Sequence, residues 1–234
     1  MIYQCYFDEN SKTKLFSEEP YVGFGLEPDT NPDLFKNCPE LESSFNRLQL
    51  TEYASYLWLW RNKVNDPWIG STSYRQLDKN PYKFRSIEQV DSLIAKNPFI
   101  GWGEYTMLNR YGAPISLRRQ AEVCHPGLNE YMDELVGGLP EAWSNKSSGI
   151  FSNYWIMSND LFQDFMDYSW PLVCNSLSNI ADSEFYKQQV AYGTVSKDKC
   201  VGYVMERLFI LWYLERDLKF LNPFANFPIF NNTD

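Results

Sequence analysis

One stretch decides the fold: Leu50-Thr-Glu-Tyr-Ala-Ser-Tyr-Leu-Trp-Leu-Trp-Arg-Asn62, followed shortly by Trp68-Ile-Gly-Ser-Thr-Ser-Tyr-Arg75. In the first part, apolar residues recur at helical spacing, which predicts a helix over residues 48–63. Asp66-Pro67 ends that helix, because the residue before a proline is pushed out of helical geometry. The second part is rich in strand-forming residues, so we expect a short strand within 68–74 that runs into a loop.

The alternation of helices and strands continues on both sides of this stretch. Further strands are predicted over residues 2–7, 99–103 and 154–157, and further helices over 86–96, 116–135, 159–180 and 201–218. Pro126-Gly127 breaks the helix over 116–135, and Ser86 and Ser158 stand where N-caps are expected. Alternating strands and helices predict an α/β fold with a mostly parallel sheet. No linker or repeat divides the chain, so residues 1–234 are expected to form a single domain.

Composition and charge argue against several classes of function. The net charge of −9 argues against a broad surface for nucleic acid, which needs clustered Lys and Arg. The five scattered cysteines form no C-x-x-C pair, which indicates a reducing compartment without a disulfide framework or a zinc site. The N-terminus does not read as a signal peptide, and no stretch reaches the roughly 18 apolar residues of a membrane-spanning helix. We therefore expect a cytoplasmic protein with no transmembrane segment, and peripheral contact with a membrane stays open.

Familiar motifs of phosphate and nucleophile chemistry are missing from the sequence. It contains no P-loop, no G-x-G-x-x-G after a strand, no G-x-S-x-G and no H-E-x-x-H. His125 is the single histidine, which excludes any mechanism that needs two. It precedes Pro126-Gly127, and this loop setting would let its side chain reach a ligand. We predict that His125 belongs to a binding site, as a phosphate or metal contact.

Three collinear blocks carry a resemblance to a known family. The first is the opening stretch itself, similar to E-L-T-x-x-Y-W-x-W-K-N followed by Y-I-G-x-x-H-Y-R-R. The second is Asn153-Tyr-Trp-Ile-Met-Ser-Asn-Asp-Leu-Phe162, similar to N-x-F-I-M-x-x-x-x-F. The third is Gly202-Tyr-Val-Met-Glu-Arg-Leu208, similar to G-[FY]-x-x-E-R-L. Together they resemble bacterial capsular and exopolysaccharide glycosyltransferases, a family once known only as a domain of unknown function. The chain departs from H-Y-R-R, because it has Ser73-Tyr-Arg-Gln76 there.

This resemblance implies a GT-A-like, Rossmann-like domain that binds a nucleotide sugar at the carboxyl ends of its strands. It assigns Ser73, Tyr74 and Arg75 to the donor, and the loop setting of His125 makes that residue a further candidate for donor binding. GT-A enzymes usually carry a D-x-D at this place, which holds a divalent metal against the diphosphate, and the chain has no D-x-D. Asp78 is the nearest acid and becomes the candidate metal ligand and a candidate catalytic residue, with Mn²⁺ or Mg²⁺ as the cofactor. Alternatively, Arg75 replaces the metal, because guanidinium matches phosphate bidentately.

Other charged candidates follow from their places along the predicted elements. Glu104 comes at the end of the strand predicted over 99–103 and is the candidate catalytic base. Glu206 and Arg207 lie inside an apolar helix, where a buried charge needs a partner, so they are predicted to form a structural pair. Glu52 is predicted to be a helix-start charge that interacts favourably with the helix dipole.

The sequence therefore predicts a glycosyltransferase that moves a sugar from a nucleoside-diphosphate donor onto a surface polysaccharide or another glycan. The main alternative is a non-catalytic carbohydrate-binding or scaffold protein that kept the fold and lost its metal site. The missing D-x-D favours that alternative. A sugar-phosphate or nucleotide hydrolase is a third interpretation, which the lack of a phosphatase or metal motif disfavours.

Overall fold

A computed structural model of the chain describes residues 1–76, 83–102, 104–151, 153–191 and 199–224. The strands among these residues are β1 (Ile2–Tyr6), β2 (Tyr21–Gly25), β3 (Trp68–Ser73), β4 (Phe99–Gly101), β5 (Glu104–Thr106), β6 (Ser148–Ile150) and β7 (Trp155–Ser158). The α-helices are α1 (Glu9–Lys12), α2 (Ser44–Leu50), α3 (Tyr53–Arg61), α4 (Ile87–Ile94), α5 (Leu117–Cys124), α6 (Leu128–Val136), α7 (Glu141–Asn145), α8 (Asn159–Asn179), α9 (Glu184–Ala191) and α10 (Cys200–Glu215). Short 3-10 helices cover Pro39–Glu42 and Ile180–Asp182.

Five of the described strands form the central sheet, in the order β2-β1-β3-β7-β4. β1 pairs in parallel with β2 and with β3. β7 is antiparallel to both β3 and β4, so β4 runs in the same direction as the first three strands. The predicted α/β fold with a mostly parallel sheet is confirmed. β5 and β6 form a separate antiparallel pair.

Side chains on the two faces of the sheet enter separate hydrophobic layers. On one face, Ile69, Phe99 and Trp155 pack with the apolar sides of α3, α8 and α10. On the other face, Ile2 and Ile156 pack with α4. Both faces of the sheet are therefore covered, which explains why residues on both faces of its central strands are buried.

Local capping signals place several helices where the sequence predicts them. The Ser86 hydroxyl accepts a hydrogen bond from the Gln89 amide at 3.3 Å, and Ser158 accepts one from the Leu161 amide at 3.4 Å. Each satisfies an amide that the first helical turn leaves unpaired. The predicted break at Pro126-Gly127 separates α5 from α6. No helix among the described residues is long and apolar enough to cross a membrane.

The single helix predicted over residues 48–63 is wrong, because the chain forms two helices that are interrupted at Thr51. Thr51 has a φ of +51°, which ends α2 before α3 begins. Positive φ is unfavourable for a β-branched residue, so the surroundings must hold it. The side chain of Gln49 accepts a hydrogen bond from the Val201 amide at 3.1 Å, which ties this corner to the start of α10. Helical spacing alone does not record that long-range contact.

The second half of β3 is polar although all six residues of the strand are buried. The Ser71 hydroxyl lies 2.6 Å from the Tyr56 hydroxyl, and Thr72 donates to the Gln76 side chain at 2.7 Å. Partners of this kind offset the cost of burying hydroxyl groups. The strand therefore continues in fixed geometry to the edge of the sheet.

Candidate functional site

A cavity of about 200 Å³ lies at the edge of the sheet where the parallel strands end. Phe7 follows β1, and Ser73 is the last residue of β3. Asn153 precedes β7, which runs in the opposite direction and so starts at this same edge. The lining residues are Phe7, Thr51, Glu52, Ser73, Tyr74, Arg75, Asn153, Lys199, Gly202, Tyr203 and Glu206. Open α/β sheets bind their ligands at this edge.

The end of β3 supplies one wall of the cavity. The Tyr74 amide donates to the Cys5 carbonyl at 2.9 Å, and the Arg75 amide donates to the Ser73 hydroxyl at 3.3 Å. The Tyr74 ring meets Phe7 edge-on, with centroids 6.2 Å apart. The backbone is therefore fixed, while the Arg75 side chain is exposed. No described carboxylate forms an ion pair with it.

The first turns of α10 supply the opposite wall. Lys199 stands at the N-cap position and is exposed, and no ion pair to it is found among the described residues. The start of a helix carries a partial positive charge, which adds to that of the lysine. A Cβ placed on Gly202 would lie 3.0 Å from the Thr51 hydroxyl. This close approach brings α10 against the corner between α2 and α3.

Two carboxylates, those of Glu52 and Glu206, line the cavity with the two cations. Glu206 Oε2 lies 2.6 Å from Arg207 Nη1. The Arg207 guanidinium is 1% exposed, donates to Gln120 at 2.9 Å and lies 4.8 Å from the centre of the Phe151 ring. The predicted pair between Glu206 and Arg207 is present. It differs from a purely structural pair because Glu206 also faces the cavity.

His125 lies behind one wall of the cavity and is not among its lining residues. Its ring stacks on Tyr203, with centroids 3.8 Å apart. Burial, with a smaller effect from Arg207, lowers the pKa of His125 to about 4. The imidazole is therefore neutral at pH 7, and Tyr203 is the residue through which it reaches the cavity.

One of the two predicted catalytic acids, Glu104, is not among the residues that line the cavity. Glu104 is exposed and begins β5, so it does not end the strand that was predicted over 99–103. Asp78 lies outside the described residues. Among the residues that the structure describes, no group of three or more His, Cys, Asp or Glu is arranged to hold a metal ion.

Sequence reasoning missed six lining residues, namely Phe7, Thr51, Asn153, Lys199, Gly202 and Tyr203. All of them except Phe7 and Lys199 lie in the three blocks that carry the family resemblance, and each block contributes to this one cavity. These residues could therefore have been found by expecting the three blocks to meet at one site. The sequence analysis instead interpreted each block as a separate strand or helix.

A larger cavity of about 670 Å³ lies elsewhere, between α6, the end of α8 and α9. Its lining includes Glu130, Glu134, Asp182 and Glu184 and no Lys or Arg among the described residues. So many carboxylates repel a phosphate group. The smaller cavity at the strand edge, with its two cations, is the better candidate site for an anionic ligand.

Comparison with known proteins gives one match that bears on the fold. No protein-family model and no curated protein matches the sequence. The solved apo structure of the bifunctional glycosyltransferase WbbM matches with a TM-score of 0.51 and 14% sequence identity. The match covers 94% of this chain and 43% of that protein's chain, so this chain spans less than half of its length.

The chain shares its fold with the matched part of that glycosyltransferase. It is GT-A-like, with helices on both faces of a mostly parallel sheet. At 14% identity the match carries the architecture alone, and function has to be argued from the site.

Proposed function

We propose that this chain is a glycosyltransferase that moves a sugar from a nucleoside-diphosphate donor onto a surface polysaccharide or another glycan acceptor. One observation carries the proposal: Arg75 and Lys199 line one cavity at the carboxyl edge of the sheet without an ion-pair partner among the described residues. Cations without an internal partner are available to an anionic ligand. The glycosyltransferase fold and the resemblance of the three blocks to the capsular family support the same conclusion.

The chemistry of sugar transfer explains why two cations are needed. The bond between the sugar and the diphosphate breaks, and negative charge develops on the departing phosphate oxygen. Fixed positive groups aimed at that oxygen stabilise the transition state. Arg75 offers a planar guanidinium that can hold two phosphate oxygens, and Lys199 adds a point charge beside the start of α10. In this proposal the two side chains supply charge that a D-x-D motif would otherwise supply through a metal ion.

The size of the cavity limits what it holds. Its volume of about 200 Å³ is smaller than the roughly 300–1,000 Å³ of typical pockets for whole ligands. We assign it to the diphosphate and the reacting end of the sugar, with Ser73 and Tyr74 on the donor side. The nucleoside and the acceptor extend beyond it.

Isothermal titration of UDP and GDP, with and without Mn²⁺, tests the assignment of Arg75. The variants are Arg75→Ala, Arg75→Lys and Lys199→Ala, and Arg119→Ala is the control because it removes an exposed arginine outside the cavity lining. Thermal melting of each variant separates binding from folding.

Arg75→Ala should weaken nucleotide binding by about 1.5–3 kcal/mol, or about 10- to 150-fold in Kd, with unchanged melting. Arg75→Lys should fail to restore affinity, because lysine lacks the planar fork. A lowered melting temperature with unaltered nucleotide affinity would refute the assignment. Oligosaccharide binding in a wild type that binds neither nucleotide would favour the non-catalytic alternative.

A further inference from the structure

Glu52 is the cavity carboxylate for which the described part of the chain provides no ion pair. It lines the cavity and is half-buried. Among the described residues, no side chain or amide bonds its carboxylate, and it makes no capping hydrogen bond although it stands at the N-cap of α3. The other cavity carboxylate, Glu206, is neutralised by Arg207 at 2.6 Å.

The backbone of Glu52 is held in place from two sides. Its carbonyl accepts a hydrogen bond from the Ser55 hydroxyl at 2.7 Å and a longer one from the Cys5 thiol at 3.9 Å. Thr51, the residue before it, has positive φ and touches the start of α10. The carboxylate is therefore presented from a rigid corner, which suits a group that must meet a reacting atom.

The charge of Glu52 acts on a thiol and two phenol groups. Its charge contributes to raising the pKa of three neighbours, Cys5, Tyr56 and Tyr154, in each case after the larger effect of burial. Among the described residues the Glu52 carboxylate has no ion-pair partner, whereas the carboxylate of Glu206 is in contact with the Arg207 guanidinium.

We propose that Glu52 is the general base of the transfer reaction. The proposal rests on the proposed function. The Glu52 carboxylate takes the proton of the acceptor hydroxyl, and the acceptor oxygen forms a bond to the anomeric carbon of the donor sugar. The bond from that carbon to the diphosphate oxygen breaks, and the nucleoside diphosphate leaves with the electron pair, toward Arg75 and Lys199. A single displacement of this kind inverts the anomeric configuration.

Steady-state kinetics on the full chain test this role. UDP-glucose, UDP-galactose and GDP-mannose are the donors, water or added oligosaccharides are the acceptors, and release of nucleoside diphosphate is measured. The variants are Glu52→Gln, Glu52→Asp and Glu206→Gln. Glu42→Gln is the matched control, because Glu42 is an exposed carboxylate outside the cavity lining. Melting curves and UDP titration accompany each variant.

Glu52→Gln should lower kcat by about 10²- to 10⁴-fold, the usual value of a general base, with donor KM and UDP affinity within about threefold of wild type. Glu52→Asp should retain part of the rate, Glu42→Gln all of it, and NMR of the wild-type product should show an inverted anomeric centre.

Three results would overturn the assignment while leaving the transferase intact: near-normal kcat in Glu52→Gln, a change in KM alone, or retained anomeric configuration. A larger kcat loss in folded Glu206→Gln than in Glu52→Gln would move the base to Glu206. A wild type that binds UDP or GDP in none of these tests and releases no product refutes the proposed function itself.

Discussion

Removing the guanidinium of Arg207 should destabilise the fold, and the structure sets the size of the effect. The Arg207 side chain is 1% exposed and bonds Glu206 and Gln120. Arg207→Ala removes these bonds and leaves a carboxylate without its counter-ion. Breaking a buried pair from one side costs about 3–5 kcal/mol. The Glu206 side chain is 18% exposed and can gain some water, so we expect the lower end, about 3 kcal/mol.

Thermal and urea unfolding measure this loss. For a chain of this size, 1 kcal/mol corresponds to a shift in Tm of about 2–4 °C, so Arg207→Ala should melt roughly 6–12 °C lower than wild type. A double-mutant cycle with Glu206→Gln, Arg207→Met and the double variant isolates the pair. The double variant should be more stable than Arg207→Met alone, because it has no stranded carboxylate.

Two outcomes would refute this reasoning about Arg207. A variant that melts within about 2 °C of wild type would mean that the guanidinium contributes little to stability. Normal melting with lost turnover would move the pair from a structural role to a direct role in the reaction.

The remaining predictions concern pH and metal. The folded pKa of His125, about 4, lies below its ordinary value of about 6.5, so the unfolded chain takes up the proton first as the pH falls. The stabilisation that the fold gains from this pKa difference should be complete above about pH 6.5. The free energy of unfolding should then fall by at most on the order of 3 kcal/mol as the pH is lowered towards 4. The melting temperature of His125→Asn should depend less on pH between about 6.5 and 4 than that of the wild type. If the melting temperatures of wild type and variant changed in parallel with pH, the lowered pKa of His125 would be contradicted. Donor hydrolysis should persist in EDTA, because Arg75 and Lys199 supply positive charge; activity lost in EDTA and restored by Mn²⁺ would overturn this expectation.

Much of the fold could be predicted because its determinants are local. Serine caps at Ser86 and Ser158 and the Pro126-Gly127 break act within one or two turns of chain, so the sequence displays them directly. The break at Thr51 could not be predicted, because it depends on Gln49 bonding the start of α10, 152 residues away. Periodicity in one segment contains no information about a contact of that kind.

The candidate site was predictable only where it follows a strand. Ser73, Tyr74 and Arg75 could be placed because the end of β3 is visible in the sequence and strand ends share one edge of the sheet. Lys199 and Tyr203 could not, because the apolar run of α10 does not indicate which residues of its first turns face an opening. Glu104 was assigned as a base because it was expected at the end of the strand predicted over 99–103, and it instead begins β5.

The Glu206–Arg207 pair shows why packing and function cannot be assigned to separate residues in this fold. Packing alone would be served equally well by two apolar side chains, since replacing a buried pair with such residues is often neutral or stabilising. An ionic pair at the cavity wall does something that an apolar pair would not: it places a neutralised carboxylate beside Arg75 and Lys199. Without Arg207, the charge of Glu206 would add to that of Glu52, and the two carboxylates together would compete more strongly with a diphosphate for the two cations. Under the proposed function, Arg207 keeps those cations more available to the donor without touching it, and Glu52 is the cavity carboxylate without an ion-pair partner among the described residues.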